Sequence, residues 1–258
     1  MKTKISVMKV ILSLFVLVFL AVSGQAQKTL RIMSYNIRHG AGLDNRLDAE
    51  RIAGVIRRAA PDVVALQEVD SATLRTGRKD LLHQIADEVL MHRMFAPAIP
   101  YEGGKYGVGL LSKEKPLNVR YMPLPGREES RVLLLAEFEE YVVCCTHFSL
   151  TEEDQLASVP LLTGALAEVA KPVFFAGDLN ALPDSPVLKA LQEKFVVLTD
   201  PKKKTFPADQ PEECLDYVLG FTGNGQTYAV LNNRVLEEPV ASDHRPVVTT
   251  VRLKTAGD

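Results

Sequence analysis

The sequence lacks the features that mark several classes of protein. It has no Trp, only three Cys, no internal repeat and no low-complexity tract. With 47% hydrophobic residues it has the composition of a globular protein, which excludes a disordered chain, a coiled coil and a disulfide-stapled miniprotein. Cys144 and Cys145 are neighbours in an apolar segment and Cys214 stands alone. We therefore expect packing residues, not a disulfide framework.

Long hydrophobic runs are also scarce. The one such run covers residues 10–22, which is 13 residues, whereas a membrane-spanning helix needs roughly 20. Three Lys precede this run and the small residues Ser23, Gly24 and Ala26 follow it. That order is typical of a secretory signal peptide. We predict a signal peptide over residues 1–26, cleaved near Ala26, and one domain over residues 27–258 that is periplasmic or secreted and has no transmembrane segment.

Charge of one sign is not in large excess. The chain has 30 Lys and Arg against 32 Asp and Glu, and three of the Lys lie in residues 1–26, which leaves 27 against 32 and a net charge of −5. Such a protein lacks the strong attraction that drives general polyanion binding. We expect the one dense basic run, residues 202–204, to be a solvated surface loop. The charge does not favour nucleic acid as a partner, although this partner stays open.

Short β-rich runs alternate with helical patterns along the chain. Strands are predicted at residues 29–35, 62–66, 106–111, 132–138, 141–146, 173–176, 215–219, 227–231 and 247–253. Helices are predicted from a cap at Asp44 or Asn45 to Pro61, over 81–90, from Thr151 toward Ala170, and from Ser185 and Pro186 onward. The many strands and a hairpin across residues 139–140 favour mixed sheets with outer helices over an alternating βα barrel.

Polar side chains collect at the ends of the predicted strands. They are Asn36, Glu68, His147, Asp178, Asn180, Asp216, Asp243 and His244. Taken singly, Asn36 and Asn180 are more readily turn residues, Glu68 a surface acid and Asp216 a strand-edge charge, and only the ordered set indicates a site. Asp178 and Asn180 are two residues apart, so they point the same way if the strand continues through both. Carboxylates, amides and imidazoles form an oxygen-rich set that suits Mg²⁺ or Mn²⁺ better than Zn²⁺.

These residues lie in seven short motifs whose order resembles the endonuclease/exonuclease/phosphatase superfamily. The motifs are Ser34-Tyr35-Asn36, Leu66-Gln67-Glu68, residues 106–112, Thr146-His147-Phe148, Gly177-Asp178-Leu179-Asn180, Leu215-Asp216-Tyr217 and residues 242–246. The fifth and the last are the most specific. The resemblance implies an α+β fold, a four-layered α/β sandwich in which two packed mixed β-sheets carry helices on both outer faces, as in deoxyribonuclease-I-like enzymes.

The resemblance also implies roles on the metal side of the site. Glu68 is the implied principal Mg²⁺ ligand, with Asn36 beside it and Asp243 in support; Mn²⁺ is a substitute metal. Tyr106 is the implied phosphate-contacting tyrosine. Arg131 precedes a β run, and both a phosphate contact and a solvated strand edge remain open for it.

A second set of roles concerns the attack on phosphorus. Asp178 is implied to orient or deprotonate the attacking water, and Asn180 to hold this water and a phosphate oxygen. His244, oriented by Asp216, is implied to contact the scissile phosphate, while His147 lies near the leaving oxygen. A metal, an imidazolium and amide donors are the groups that can cancel charge on the phosphate oxygens during in-line attack.

Together these inferences predict a monomeric, exported, Mg²⁺-dependent hydrolase of a phosphodiester or phosphomonoester. A small or lipid-derived phosphate ester is slightly favoured over DNA or RNA, because of the charge and the missing Trp. The alternatives are a metal-dependent nuclease and a catalytically silent phosphate- or glycan-binding module on the same fold. A zinc hydrolase is disfavoured because no closely spaced His pair exists. Residues 199–213, which include Phe206, are a candidate mobile substrate loop.

Overall fold

Two six-stranded β-sheets form the centre of the protein, in a computed structural model that describes residues 28–253. The strands are β1 Thr29–Asn36, β2 Val63–Ser71, β3 His92–Tyr101, β4 Gly104–Ser112, β5 Asn118–Leu124, β6 Arg131–Glu137, β7 Val142–His147, β8 Val173–Asp178, β9 Phe195–Val197, β10 Asp216–Phe221, β11 Ala229–Val235 and β12 Val247–Arg252. Sheet 1 has the order β11-β12-β1-β2-β4-β3, and sheet 2 has the order β5-β6-β7-β8-β10-β9.

Both sheets are mixed. β1 runs parallel to β2 and antiparallel to β12 in sheet 1, and β7 runs parallel to β8 in sheet 2 while β8 and β10 are antiparallel. The predicted hairpin is confirmed, since β6 and β7 pair antiparallel across residues 138–141.

Within residues 28–253, four helices cover the outer faces of the sheets. They are α1 Ala49–Ala59, α2 Leu81–Val89, α3 Glu152–Leu166 and α4 Pro186–Gln192, and a short 3₁₀ turn spans Arg38–Gly40. α1 and α2 pack on sheet 1, for example through Ile52 and Ile85. α3 and α4 pack on sheet 2 through residues such as Leu162 and Leu188. A third apolar cluster fills the space between the sheets. The predicted four-layered sandwich is confirmed.

Alternation along the central strands explains how one segment serves two of these layers. In β6, Leu134 and Ala136 join the cluster between the sheets, whereas Leu133 and Leu135 join the cluster under α3 and α4. Successive side chains of a strand point to opposite faces, so a strand covered on both sides is apolar throughout.

Several predicted element boundaries were wrong. β3, β5 and β9 were missed. The cap of α1 is Asp48, whose carboxylate accepts a hydrogen bond from the Arg51 N–H at 2.9 Å, so Leu47 lies outside the helix. Thr151 does begin α3, but its hydroxyl makes no cap hydrogen bond. Ser185 caps α4 as predicted, with Pro186 in the first turn.

Residues 1–27 and 254–258 lie outside the described part of the chain, so the signal peptide stays a prediction. In the described part, no helix is long and apolar enough to cross a membrane.

Candidate active site

Three neighbouring strands of sheet 2 place His147, Asp178 and Asp216 in one row. The register pairs His147 with Asp178 across β7 and β8, and Asp216 with Asp178 across β10 and β8. Directly paired residues share a face of the sheet, and here the shared face is the inner one that also carries Cys145 and Ala176. The row therefore lies between the two sheets, at the edge where β7 and β8 end. Asp178 and Asp216 are fully buried.

Sheet 1 places Asn36 and Glu68 at the same edge, and Glu68 lies there because of an irregularity in β2. Asn36 ends β1, opposite Gln67 of β2. The β2–β4 register then shifts between Leu66 and Val69, and Glu68 within this bulge has a φ of 57°. Such a φ is uncommon for a residue with a side chain, and a bulge turns a side chain out of its normal alternation. β2 thus runs on to Ser71 instead of ending before Gln67.

The Asn36 amide joins the two sheets. Its Nδ2 donates to Glu68 Oε1 at 3.0 Å and to Asp178 Oδ2 at 3.0 Å, and its Oδ1 accepts from the Arg38 N–H at 3.1 Å. In this orientation the amide N–H groups, not the oxygen, face the carboxylates. The N–H groups of Asn36 therefore present partial positive charge to the carboxylates of Glu68 and Asp178 and hold both in place, as a cation between them would.

The segment before β12 completes the site. The Ser242 hydroxyl donates to the Asn36 carbonyl at 2.7 Å, which fixes the segment to the end of β1. His244 Nδ1 lies 2.9 Å from Asp216 Oδ2, and its Nε2 lies 3.6 Å from Asp178 Oδ2. Asp243 Oδ2 lies 3.6 Å from Arg38 Nε. The structure thus brings the predicted pair of Asp216 and His244 into direct contact.

The two histidines beside Asp178 differ in protonation. His147 Nε2 is 3.5 Å from Asp178 Oδ2, almost the distance of His244 Nε2. Burial lowers the pKa of His147 to about 4, because it outweighs the opposite effect of Asp178. Burial alone would also lower the pKa of His244, but the charges of Asp216 and Asp178 outweigh it and raise this pKa to about 10. At neutral pH the site therefore holds one neutral imidazole and one imidazolium.

The acidic side chains of the site repel one another. Burial raises the pKa of Glu68, and the nearby charges of Asp243 and Asp178 raise it further, against the hydrogen bond from Asn36. A divalent cation relieves such a cluster, and the oxygen donors match Mg²⁺ or Mn²⁺. Among the described residues, Asp178, Asp216 and His244 also have ligand atoms within 4.8 Å of one another. The site can therefore hold a metal.

Asn180 does not follow the geometry expected from strand alternation. β8 ends at Asp178, and Asn180 has a φ of 46°. Its backbone N–H donates to Asp178 Oδ1 at 3.0 Å, and its side-chain Nδ2 donates to the Phe148 carbonyl at 3.0 Å. The strand does not continue through both residues, so the condition for a parallel orientation of Asp178 and Asn180 is not met, although the two residues remain in contact.

The two candidate substrate residues are both buried. Tyr106 lies in β4, and its pKa is raised by burial and by the charge of Glu68, so its hydroxyl stays protonated. Arg131 has a side chain that is 7% exposed, and its guanidinium contacts Glu128 at 3.1 Å and Glu129 at 3.2 Å. The interpretation of Arg131 as a solvated edge residue was therefore wrong. Its charge lowers the pKa of His147, which places it near the site.

Sequence reasoning assigned no role to Arg38 or Arg75, and it named Phe206 only as part of the candidate substrate loop. The Phe206 ring lies 4.8 Å from the His244 ring, and the Ala208 N–H donates to the Asp243 carbonyl at 2.7 Å, so this part of the candidate loop is attached to the site. Arg38 contacts Asp243, as described above. Arg75 lies over the Tyr106 ring. An aromatic residue in a loop and a lone Arg give no sequence signal of such contacts.

Solved structures with similar folds come from several kinds of enzyme. An endonuclease/exonuclease/phosphatase from Beutenbergia cavernae is 24% identical with a TM-score of 0.69, and 89% of this chain and 72% of that chain are covered. A mannosyl-6-phosphatase of Bacteroides thetaiotaomicron is 14% identical with a TM-score of 0.69, covering 88% and 100%. The human Nocturnin catalytic domain is 18% identical with a TM-score of 0.66, covering 88% and 95%. At these identities the likeness shows the fold alone.

The family assignment comes from the sequence. A search of curated proteins found no match. The profile of the Endonuclease/Exonuclease/phosphatase family, whose members generally hydrolyse phosphoester or nucleic-acid bonds, matches residues 33–244. That range includes Asn36 at one end and His244 at the other, and every predicted site residue lies within it. The resemblance seen in the seven motifs is confirmed, and the chain belongs to the endonuclease/exonuclease/phosphatase family.

Proposed function

We propose that this protein is a metal-dependent phosphoesterase that hydrolyses a phosphodiester or phosphomonoester by direct attack of water. The observation that carries the proposal is the surroundings of Asp178. Its carboxylate is buried, accepts a hydrogen bond from Asn36, and lies 3.5 and 3.6 Å from one neutral and one protonated imidazole. A purely structural carboxylate needs no such set of partners, whereas a base that activates water beside a phosphate does.

Each polar group then has a role in the reaction. Asp178 takes a proton from the attacking water. His244, kept protonated and oriented by Asp216, places a positive charge against the phosphate. His147, neutral at pH 7, donates a hydrogen bond toward the leaving oxygen.

Three further residues hold the reactants. Asn180 holds the attacking water and a phosphate oxygen, with its amide fixed by the Phe148 carbonyl. Tyr106 and Arg131 bind the phosphate from the side of β4 and β6.

We assign the metal to Glu68 and Asp243, with Asn36 positioning Glu68. These carboxylates fit Mg²⁺, with Mn²⁺ as a substitute. The alternative group of Asp178, Asp216 and His244 fits a cation less well, because His244 is protonated and its Nδ1 is already paired with Asp216. When bound, the metal would supply Lewis-acid stabilisation of the charge on the phosphate oxygens.

A small or lipid-derived phosphate ester is the proposed substrate class. The chain without residues 1–26 carries five more acidic than basic residues and has no Trp, which disfavours a general grip on nucleic acid. One structural relative is named a mannosyl-6-phosphatase, so the fold accommodates a small monoester in that protein. We propose export through the predicted signal peptide and a monomeric state. A nuclease and a silent binding module remain the alternatives.

The test is hydrolysis of p-nitrophenyl phosphate and bis-p-nitrophenyl phosphate with Mg²⁺, Mn²⁺ or EDTA. Asp178→Asn is compared with Asp87→Asn, the same change on the exposed face of α2. We expect metal-dependent turnover that falls by about 10²–10⁴-fold in Asp178→Asn only. Equal rates in both variants would contradict the proposal. Nicking of plasmid DNA that falls steeply with salt would favour the nuclease instead.

A further inference from the structure

An open cleft begins at Asn180, at the edge where β7 and β8 end. It has a volume of about 450 Å³ and is lined by Leu150, from the segment after β7, and by Asn180 and Leu182, from the segment after β8. β7 and β8 are neighbouring parallel strands, so both segments leave the same edge of sheet 2. The cleft therefore includes a residue of the proposed site, and its volume is in the range of small-molecule sites.

Direct hydrogen bonds join the two walls of the cleft to each other and to the site. The Asn180 Nδ2 donates to the carbonyl of Phe148, the residue that follows β7, and the Asn180 N–H donates to Asp178 Oδ1, both at 3.0 Å. Gln155, in the first turn of α3, donates from Nε2 to the Ser149 carbonyl at 2.7 Å and to the Asn180 carbonyl at 2.9 Å. The cleft is thus held in a fixed position beside Asp178.

Two leucines are exposed in this cleft although their backbone is fixed. Leu150 is 69% exposed and Leu182 is 44% exposed. The Leu150 N–H donates to Glu128 Oε1 at 2.8 Å, and the Leu182 carbonyl accepts from the Ser185 N–H at 3.0 Å. Single exposed leucines are common, but two leucines on the two segments that flank one cleft form an apolar surface that a ligand can cover.

The polar groups of the lining set the charge that the cleft accepts. Gln155 Nε2 is already used by two carbonyls, and Ser185 Oγ accepts from the Leu188 N–H at 3.3 Å as the cap of α4. The side chains of Glu152 and Asp184 have no hydrogen bond or ion pair among the described residues, and no described Lys or Arg lines the cleft. Two uncompensated acidic groups disfavour a second phosphate or any other anion.

We propose that this cleft binds the organic group of the phosphate ester, and that this group is apolar and carries no negative charge. The inference rests on the proposed function and narrows its substrate class to esters of apolar alcohols. When the phosphate lies beside Asp178 and Asn180, a chain attached to it can pass Asn180 and cover Leu150 and Leu182. Such a group belongs either to a lipid or to a compact alkyl or aryl alcohol, and the same surface recognises both.

Binding of matched phosphonates to the wild-type protein tests the proposal without turnover, because attack of water on phosphorus does not break their C–P bond. Calorimetric titration with Mg²⁺ compares ethylphosphonate with hexylphosphonate, which share a head group and differ by four methylenes. Full burial of four methylenes would strengthen binding by roughly 200-fold, and the open cleft covers only part of the chain, so we expect about 10-fold. Decylphosphonate distinguishes the sources: a further gain indicates a lipid chain, and unchanged affinity indicates a compact group.

A charged ligand tests the acidic side of the cleft. 6-Phosphonohexanoate has as many carbon atoms as hexylphosphonate but ends in a carboxylate, and we expect the wild type to bind it no more tightly than ethylphosphonate. Glu152→Gln combined with Asp184→Asn should strengthen its binding by about 3-fold, because the repulsion is removed. Glu139→Gln combined with Glu193→Gln removes two exposed acids outside the cleft and should change nothing. Tighter binding of the carboxylate ligand than of hexylphosphonate would overturn the proposed charge preference.

A second pair of variants assigns the effect of chain length to the cleft. Leu150→Ser combined with Leu182→Ser should reduce the preference for hexylphosphonate to below about 3-fold. Both side chains are exposed, so this variant should fold, and Leu150→Met combined with Leu182→Met should keep the preference because it retains apolar surface. Leu117→Ser, at a position that is 62% exposed before β5, is the matched control.

The outcomes separate this inference from the proposed function. Equal affinity for ethylphosphonate and hexylphosphonate, or a preference that survives the loss of both leucines, would overturn the apolar subsite. Hydrolysis of the nitrophenyl phosphates and its loss in Asp178→Asn decide the proposed function separately, because the phosphonates report binding whether or not the protein turns over a substrate.

Discussion

The two sheets contribute to the site in opposite ways. Sheet 2 supplies His147, Asp178 and Asp216 from a regular ladder, each residue paired with its neighbour in register. Sheet 1 supplies Glu68 from a bulge with left-handed backbone. In sheet 2, the charge of Asp216 is hydrogen-bonded to His244. In sheet 1, by contrast, the Glu68 carboxylate lies near the charges of other carboxylates. On the basis of this difference, we propose that sheet 2 carries the proton chemistry and sheet 1 the metal.

The difference also has a cost in stability. Strained φ values and repelling carboxylates cost free energy in the folded state and persist where the surrounding structure or a ligand compensates. The cost is smaller in sheet 2, because His244, from the segment before β12, compensates the charge of Asp216 at 2.9 Å. Substitutions in the two halves should therefore change stability in opposite directions.

The largest expected effect is on catalysis by the sheet 2 row together with His244, which contacts that row from the segment before β12. His244→Gln should lower kcat by about 10³-fold, because the imidazolium against the phosphate is lost. Metal affinity should change little, since the metal is assigned to sheet 1. Steady-state kinetics with Mn²⁺ titration measure both quantities, and His92→Gln on the exposed start of β3 is the control. A parallel loss of metal affinity would break the division between the sheets.

The next effect is on the stability of the sheet 2 half. Asp216→Asn should lower the free energy of unfolding by about 3 kcal/mol, because it removes the hydrogen-bonded partner of the buried His244 and leaves only Asp178, at 3.6 Å, to compensate its charge. Urea unfolding of the metal-free protein measures this change. A variant as stable as the wild type would mean that the pair does not hold the imidazolium.

The neutral histidine of the same row gives a pH dependence. The folded-state pKa of His147, about 4, lies below the unfolded value of 6.5, so the neutral form is favoured in the fold. The stabilisation is fully present above pH 6.5 and is lost as the pH falls toward 4. Between pH 7 and pH 5, wild-type protein should lose about 2 kcal/mol of stability that His147→Gln does not lose. Identical slopes for the two proteins in EDTA would contradict the assigned protonation.

The smallest expected effect belongs to sheet 1 and has the opposite sign. Glu68→Gln should raise the free energy of unfolding of the metal-free protein by about 1 kcal/mol, because it removes a half-buried charge that the charges of Asp243 and Asp178 disfavour. The same variant should bind Mn²⁺ at least about 10-fold more weakly. Thermal unfolding with EDTA and with Mn²⁺ measures both, with Glu193→Gln as an exposed control. A destabilised metal-free variant would show that Glu68 is not under electrostatic strain.

The contrast between the regular sheet 2 and the irregular sheet 1 also explains which features of the site could be predicted from the sequence. Continuous apolar runs such as Val173 to Ala176 identify a central strand, and polar residues after them identify the edge where the site lies. Once the register of these strands is known, it follows that His147, Asp178 and Asp216 lie in one row. The edge strands β3, β5 and β9 were missed because they are partly exposed and β3 and β5 contain Pro, which weakens the strand pattern.

The irregular features could not be predicted in this way. No local sequence pattern predicts that β2 continues through a bulge at Glu68, or that β8 stops at Asp178 and Asn180 adopts a φ of 46°. The burial of Arg131 depends on Glu128 and Glu129 next to it, an arrangement that alternation does not specify. Family motifs identified these positions, and only three-dimensional packing decides their orientation.

The most direct test of the division between the sheets is the position of the metal. Anomalous diffraction from a crystal soaked in Mn²⁺ locates the cation against the surrounding oxygen atoms. Our account predicts a peak bound by the carboxylates of Glu68 and Asp243. A peak bound instead by Asp178, Asp216 and His244 would contradict it, because the regular sheet would then hold both the metal and the proton chemistry.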